Sequence, residues 1–231
     1  FVIEASSYQL EYSKIFKSNF AVILNISPDH LERHKTINKY IKAKFKLLTS
    51  QLKGDLAFVK KNDKLIHKGL KFHKCKSKLI KIDTKRKDRL LTNIKNKYFL
   101  NETNRENLLF VYEVSKKLNL NQKLFLNSIQ NFKGLKYRQQ IILNKNKLTI
   151  INDSKSTSFS SSIGALKTNF NIYWLLGGIP KKGDKFALPK KYHNNIKAFV
   201  FGKNFNFFNK QFKNKIKIEN FKNLKIALRR I

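Results

Sequence analysis

The chain has 231 residues, enough for one large or two ordinary domains with a sizeable hydrophobic core. Its single cysteine excludes an internal disulfide and a cysteine zinc cluster, which fits the reducing cytoplasm, and without an apolar stretch of transmembrane length or a signal peptide we expect no stable membrane association. The net charge of +36 is typical of nucleic-acid-binding proteins, but the lysines are spread over the whole length without a zinc-finger or RNA-binding signature, so we favour compositional drift and expect no nucleic-acid partner.

The first predicted strand is the apolar run Phe1-Val2-Ile3, which would deliver Glu4 and Ser6 at its end. A carboxylate and a hydroxyl in that position suit magnesium, because this ion prefers oxygen ligands. The simpler alternative is a strand-end carboxylate in water. Since the chain begins inside this run and ends at Ile231 on an unfinished helical pattern, we expect it to be a piece of a longer protein.

The segment after the next predicted strand carries the densest group of metal-binding side chains. Residues 20–24 form a short apolar run, and Ser27-Pro28-Asp29 interrupts it. The group lies within six residues and consists of Asp29, His30, Glu32 and His34. A ligand site at the carboxyl end of a strand is typical of α/β sheets. A charged helix start without a function is the alternative, and zinc is disfavoured because Leu31 stands where zinc proteases carry glutamate.

Lys44 is the other candidate in this region. Thr36 is predicted to cap the helix that contains it, and Lys44 lies next to apolar positions, so we expect it to be half buried. On one straight helix Lys44 would lie about 21 Å from His30, too far for a shared ligand. A break at residues 34–36 would fold the helix back and bring Lys44 to the strand end. A solvated lysine is the commonest alternative at any single helix position.

The middle of the chain is predicted to contain strands over residues 55–60 and 78–83. Residues 61–97, which include the second of these strands, are rich in lysine and weakly patterned, and they indicate no function. Asn104 and Asn107 are neighbours on the first turn of the next predicted helix. Their amides could bind a polar ring such as adenine or simply cap the helix. The apolar face of this helix is expected to contain Leu108, Val111, Ser115 and Leu118. A second helix is predicted over residues 122–132.

A boundary is predicted at Lys133-Gly134-Leu135, which gives two domains, 1–132 and 133–231. After it, strands are predicted over 138–143 and 147–151 around a turn at 144–146, then a helix through Phe170, then strands over 172–176, 198–201 and 215–218. Strands that alternate with helices indicate an α/β fold with a doubly wound, mainly parallel sheet. Active groups should then lie at the strand carboxyl ends, where the sequence has Asp153, Lys155 and Gly177-Gly178.

One stretch has the glycine spacing of a phosphate-binding P-loop without its chemistry. Gly178 and Gly183 have the required separation, but Asp184 follows where the motif needs lysine, so we reject the match. Two glycines after a strand are often a tight turn. Lys181 and Lys182 beside them are instead candidates for holding an anion.

Seven stretches in the same order resemble the Mur ligases of peptidoglycan synthesis, above all those members that add D-glutamate to UDP-N-acetylmuramoyl-L-alanine. They cover nearly the whole chain, and Asp153-Ser154-Lys155-Ser156-Thr157 discriminates best. The other six are residues 4–11, residues 24–34, Ala43-Lys44, Asn104 with Asn107, Gly134-Leu135 with Arg138, and Gly177-Gly178 with Lys182-Gly183. The sequence departs from the family pattern at Thr103, where histidine is usual, and at Ser158, where asparagine is common.

The resemblance implies part of a central ATP-binding domain over 1–132 and a doubly wound, Rossmann-like C-terminal ligase domain over 133–231. It implies ATP and Mg²⁺ as cofactors, with D-glutamate and UDP-N-acetylmuramoyl-L-alanine as substrates. It also implies roles for individual residues. The metal would be held by Glu4, His30 and a carbamate on Lys44, and catalysis would involve His30, Lys44 and Lys155. Adenine and ribose would be bound by Asn104, Asn107, Arg138 and Asp153, and the substrates by Ser6, Thr157, Lys181 and Lys182.

Two alternatives remain open at this point. The first alternative is another amino-acid-adding ligase of the same fold, similar to folylpolyglutamate synthase. The second is a basic nucleic-acid-binding module. The sequence contains no P-loop and no counterpart of the family's uridine-binding domain or last substrate-binding loop. We therefore expect the isolated chain to be inactive, with residues 1–130 poorly stable and the part from about 133 better ordered.

Overall fold

A computed structural model describes residues 1–86, 88–181 and 183–231. The chain forms two compact units, Phe1–Phe132 and Lys133–Ile231, here called the N-terminal and the C-terminal unit. Among the described residues, no helix is both long enough and apolar enough to cross a membrane.

The N-terminal unit alternates helices and strands, with one 3₁₀ helix at Lys97–Phe99. Its elements in chain order are α1 (Ser7–Tyr12), β1 (Phe20–Ile23), α2 (Leu31–His34), α3 (Ile37–Thr49), β2 (Leu56–Lys60), α4 (Lys64–Phe72), β3 (Lys78–Ile82), α5 (Arg89–Thr92), α6 (Glu102–Lys117) and α7 (Gln122–Gln130).

Its three strands form a parallel sheet in the order β1-β2-β3, with Val22 opposite Phe58 and Phe58 opposite Ile80. The central strand is buried on both faces, as parallel sheets covered by helices require. On one face Ala57 and Val59 pack in a cluster with residues of α3 and α4, and on the other Phe58 packs with residues of α6 and α7. Helices therefore cover both faces, which confirms the α/β class predicted from the sequence.

The C-terminal unit consists of a hairpin followed by a second parallel sheet, and it contains one 3₁₀ helix at Lys190–Asn195. Its elements are β4 (Gln140–Lys145), β5 (Leu148–Asn152), α8 (Phe159–Thr168), β6 (Ile172–Gly177), β7 (Ile196–Phe201), α9 (Phe205–Phe212), β8 (Lys217–Phe221) and α10 (Leu224–Arg230). The hairpin β4-β5 is antiparallel with an irregularity between Ile141 and Leu143, and the parallel sheet has the order β6-β7-β8.

Aromatic side chains dominate the core of this unit. Phe159 of α8 and Phe212 of α9 pack together with Phe186 against Ala198 and Val200 of β7. On the opposite face, Phe199 lies between the rings of Tyr173 and Phe221 on the neighbouring strands. Burial of such rings supplies most of the free energy available to a small α/β unit.

Two local predictions were wrong, and one helix was not predicted. Residues 1–6 form neither strand nor helix, and Phe1, Val2 and Ile3 are exposed, because no described strand pairs with them. Helix α4 lies in the lysine-rich stretch for which the sequence predicted no helix; Asp63 caps it, and Ile66 and Gly69 are buried. In α6 the buried face contains Leu108, Leu109 and Ser115, whereas Val111 and Leu118 are about half exposed at 50% and 49%.

Candidate active site

The segment after β1 is held by a carboxylate from a distant part of the N-terminal unit. Asp63 accepts a hydrogen bond from the backbone N–H of Ile26 at 3.1 Å through one oxygen. Its other oxygen accepts from the first N–H groups of α4, at Leu65 and Ile66. The residues that follow Ile26 are thereby fixed at the carboxyl end of β1, where ligand sites of α/β sheets occur.

The predicted break after this segment is confirmed. Helix α2 is a single turn, bounded by His30 and Lys35, whose φ angles are +54° and +65°. The side chain of Thr36 then caps α3, as expected, by accepting from the N–H of Lys39. The helix is therefore interrupted at Lys35 and Thr36 and does not continue as one straight helix.

Lys44 lies over the same aromatic ring that His30 approaches. The Lys44 amino group lies 5.3 Å from the centre of the Tyr40 ring. The His30 ring lies 6.5 Å from Tyr40 and 5.0 Å from Tyr8, both edge-on. His30 also lies 3.6 Å from a carboxylate oxygen of Asp29 and of Glu32. His30 and Lys44, two of the three predicted metal-site residues, thus both lie near the Tyr40 ring.

Burial sets the electrostatics of this cluster. It lowers the pKa of the Lys44 amino group, and the negative charge of Asp29 opposes that change. It also raises the pKa of Tyr40 to about 12, with smaller contributions from Asp29 and Tyr8. Asp29 therefore acts on both groups, although the sequence offered only its position beside His30 as a signal.

Within the part of the chain that the structure describes, Glu4 and Ser6 make no hydrogen bond or ion pair with this cluster. Glu4 is exposed and forms no hydrogen bond or ion pair with the described residues. The Ser6 hydroxyl accepts from the N–H of Gln9 and caps α1, while the Gln9 side chain accepts from the N–H of Ser6. No described group of three or more His, Cys, Asp and Glu side chains converges as a cation site. The donors that fit magnesium best are the carboxylate oxygens of Asp29, with the His30 ring beside them.

The two amides of α6 have different environments. Asn104 is buried and donates its side-chain N–H to the carbonyl of Tyr98 at 2.8 Å. Asn107 is partly buried and makes no side-chain hydrogen bond with the described residues. Between them Glu106 accepts from Lys60 at the end of β2, at 2.6 Å, and from Thr84 after β3, at 3.1 Å. These bonds anchor the first turn of α6 at the carboxyl edge of the sheet.

In the C-terminal unit, Asp153 organises the loop between β5 and α8. One of its oxygens accepts from the N–H of Gln139 at 3.0 Å, and the other accepts from the hydroxyl of Ser156 at 2.7 Å. The N–H of Lys155 donates to the carbonyl of Tyr137 at 3.1 Å. The side chains of Arg138, Lys155 and Thr157 are exposed.

The loop after β6 is tied to the start of α8. Gly178 has a φ of +102°, which favours glycine, and its carbonyl accepts from the Asn204 side chain at 3.0 Å. Asp184 accepts from the N–H of Phe159, the first residue of α8, at 2.9 Å. Lys181 is partly buried in this loop, and Lys182 lies outside the described residues. Asp184, which disqualified the P-loop match, therefore joins the two loops that carry the predicted substrate residues.

Comparisons with known proteins cover both units. The family model of the Mur ligase middle domain matches residues 1–125. A protein of Rickettsia prowazekii named UDP-N-acetylmuramoylalanine--D-glutamate ligase is 36% identical over 220 residues, which are 87% of this chain and 49% of the relative. Relatives with the same name from Rickettsia felis and Petrotoga mobilis are both 32% identical, over 93% and 87% of this chain. The chain spans about half the length of these relatives.

Solved structures agree in fold. MurF from Acinetobacter baumannii has a TM-score of 0.68 at 16% identity and covers 96% of this chain, which covers 54% of it. MurF from Thermotoga maritima, solved in complex with ADP, has a TM-score of 0.67 at 15% identity over 93% of this chain and 55% of its own. Folylpolyglutamate synthase from Thermotoga maritima has a TM-score of 0.51 at 13% identity over 92% of this chain and 56% of its own.

Proposed function

The chain belongs to the Mur ligase family, and we propose that it forms part of a cytoplasmic, ATP-dependent ligase that joins D-glutamate to UDP-N-acetylmuramoyl-L-alanine in peptidoglycan synthesis. The observation that carries this proposal is that relatives bearing this activity in their names match the chain across both units. The segment Asp153-Ser154-Lys155-Ser156-Thr157, on which the resemblance to the D-glutamate-adding members chiefly depends, lies in the C-terminal unit, which the family model does not cover.

The reaction needs two steps because a carboxylate is a poor acyl donor. The terminal phosphoryl group of ATP passes to the carboxylate and gives an acyl phosphate and ADP. The amine of D-glutamate then attacks the acyl carbon, loses a proton, and expels phosphate. Negative charge accumulates in both steps, so cationic groups at the strand ends would lower both barriers.

Asp29 and His30 are the proposed holders of magnesium, which when bound would neutralise charge on the phosphoryl oxygens, and Glu4 is proposed with them from the family resemblance alone. The oxygen donors of Asp29 and its proximity to His30 support this assignment. Lys44 is proposed to carry a carbamate, which forms when a neutral amine adds to CO₂ and releases a proton. The lowered pKa of Lys44 supports this, because burial increases the fraction of neutral amine available to react.

In the N-terminal unit, Asn104 and Asn107 are the proposed partners of adenine. The free side-chain amide of Asn107 supports its role, and Asn104 would use its oxygen because its N–H groups face the Tyr98 carbonyl. In the C-terminal unit, Arg138 and Asp153 are proposed for the ribose. Lys155, Thr157, Lys181 and Lys182 are proposed for the phosphate and carboxylate groups, with Ser6 of the N-terminal unit as a further substrate residue.

A chimera tests the proposal. This chain replaces the matching half of the R. prowazekii relative, which serves unmodified as the positive control. With ATP, Mg²⁺ and UDP-N-acetylmuramoyl-L-alanine, phosphate release should depend on D-glutamate and not on L-glutamate, L-alanine or a folate substrate. In parallel, ADP with Mg²⁺ should raise the melting temperature of the 231-residue chain. Faster phosphate release with another amino acid would contradict the proposed substrate.

A further inference from the structure

The imidazole of His34 is buried in the N-terminal unit and contacts residues of both α1 and α3. Its side chain is 1% exposed. One ring nitrogen lies 3.0 Å from the hydroxyl of Ser7 on α1. The other has no hydrogen-bond partner among the described residues, and the nearest carboxylate oxygen, on Glu11, is 3.9 Å away. An apolar ring would fill this space without leaving a buried nitrogen unsatisfied, so packing alone does not account for histidine here.

The His34 ring also lies among the aromatic rings that His30 and Lys44 approach. It stacks on Tyr8 at 5.5 Å between ring centres and tilts against Tyr40 at 5.3 Å. His30 meets the edges of the same two rings, and Lys44 lies over Tyr40. A displacement of His34 would therefore move the surfaces against which both candidate groups rest.

The backbone around His34 needs such an anchor. His30 and Lys35, at the two ends of α2, both have positive φ angles, a conformation that is uncommon for non-glycine residues and costs conformational energy. The N–H groups of Arg33 and His34 both donate to the carbonyl of His30. Within this turn His34 is the buried residue, since Leu31, Glu32 and Arg33 are exposed.

We propose that His34 is a positioning residue that locks the strained turn from His30 to Lys35 onto α1 and α3 and so fixes the orientation of the His30 ring relative to Tyr40 and Lys44. The lock has two parts, the hydrogen bond to Ser7 and the stacking between Tyr8 and Tyr40. Its relevance to catalysis rests on the proposed function, but its effect on His30 does not.

Two variants remove the hydrogen bond of the lock and leave its stacking rings in place. His34→Phe keeps a ring for stacking and removes the hydrogen bond, and Ser7→Ala removes the same bond from the other side. Ser77→Ala is the matched control, because Ser77 is also buried but its hydroxyl has no partner among the described residues. Circular dichroism establishes that each 231-residue variant is folded.

The readout is the NMR spectrum of the chain labelled with ¹³C in its five histidines. We expect both lock variants to shift or split the His30 ring signal and leave His67, His73 and His193 unchanged, and Ser77→Ala to leave all five unchanged. A His30 signal that is unaffected in a folded Ser7→Ala chain would overturn the proposal. Loss of the whole fold in Ser7→Ala would also overturn it, because the bond would then support the unit and not the turn.

Kinetics of the chimera separate this proposal from the proposed function. In an active chimera, we expect His34→Phe to lower kcat by roughly 10–100-fold, the loss that a small misplacement of a catalytic group causes, with little change in the KM for ATP. Conversely, equal kcat in His34→Phe and the parent would contradict the proposal even if ligation itself is confirmed. If the chimera does not ligate but the His30 signal moves as expected, the positioning role is supported and only the proposed function fails.

Discussion

The two units share a sheet topology but hold their candidate site residues in different ways. Each has three parallel strands in sequence order, and the central strands β2 and β7 are buried on both faces. In the N-terminal unit, His30 and Lys44 rest against Tyr8 and Tyr40, whose positions depend on side-chain packing. In the C-terminal unit, carboxylates hold the loops through their hydrogen bonds to backbone N–H and hydroxyl groups.

This difference has chemical consequences. Packing against aromatic rings partly buries Lys44 and changes its pKa, which suits groups that must act on developing charge. In the C-terminal unit the side chains of Lys155 and Thr157 are exposed, and Asp153 and Asp184 fix the backbone around them by accepting hydrogen bonds from backbone N–H groups. Exposed groups on a fixed loop suit the capture of a small charged substrate.

The largest expected effect concerns the packed cluster. His30→Ala and Lys44→Ala in the chimera should each lower the rate of phosphate release by about 10²–10³, the usual cost of losing one electrostatic stabiliser. A short carboxylate such as acetate should partly restore Lys44→Ala if a carbamate oxygen is what the site requires. The control is Lys42→Ala, an exposed lysine on the same helix, which should retain the parent rate. Near-normal rates in both site variants would show that the cluster is structural.

The next effect concerns the loops of the C-terminal unit. Asp184→Ala removes the acceptor for the N–H of Phe159, so we expect a loss of about 1 kcal/mol in the free energy of unfolding. Hydrogen exchange at the start of α8 should accelerate, and the KM for D-glutamate should rise more than the KM for ATP. Asp184→Asn retains an acceptor oxygen and serves as the control. Equal exchange rates in the Ala and Asn variants would indicate that this bond does not order the loop.

Sequence patterns predicted what depends on neighbours along the chain. The short apolar runs gave β1, β2 and β7, and Thr36 as a capping residue gave both the start of α3 and the break before it. The pattern failed where the deciding partner is remote. The strand expected at residues 1–3 needs a neighbouring strand that the run itself cannot reveal. The bond from Ile26 to Asp63 joins positions 37 residues apart, and no local pattern indicates it.

The site shows the same division. His30 and Lys44 could be proposed from their motifs, but the Tyr40 ring that both approach, the burial of His34 and the charge of Asp29 emerge only from packing. Spacing by three predicted that Asn104 and Asn107 share a side of α6. It could not show that one faces the core and the other does not, because that depends on how the helix is rotated against the sheet.

This rotation gives the third prediction, which separates the two amides of α6. Asn104→Ala removes the shorter of two hydrogen bonds to the Tyr98 carbonyl, at 2.8 Å, and leaves the one from the Asn101 side chain at 3.4 Å, so the free energy of unfolding in urea should fall by about 1 kcal/mol. Asn107→Ala should leave stability unchanged and weaken ADP binding, measured by calorimetry. If Asn107→Ala unfolds as readily as Asn104→Ala, the assignment of Asn107 to the nucleotide loses its structural support.

The smallest effect is the contribution of carboxylates to acid stability. Burial alone would raise the pKa of Glu113 on α6, but hydrogen bonds from Lys116 at 2.7 Å and Arg86 at 2.6 Å outweigh it and lower the pKa below its ordinary value. A carboxyl whose pKa is lower in the folded state stabilises the fold above its unfolded pKa of about 4.3, and this stabilisation is lost as the pH falls through the folded value.

Because Lys116 and Arg86 are 44% and 42% exposed, solvent screens these bonds, and we expect Glu113→Gln to cost about 1 kcal/mol or less at pH 7. Urea denaturation of parent and variant at pH 7, 5 and 3 should show the difference shrinking towards pH 3. Glu219, whose pKa is lowered chiefly by the hydrogen bond from Lys197, provides the matched position in the C-terminal unit. Glu219→Gln should change the transition detected by the fluorescence of Trp174, the single tryptophan, which lies in that unit. A difference for Glu113→Gln that persists unchanged at pH 3 would mean that packing of the side chain, and not its charge, stabilises α6.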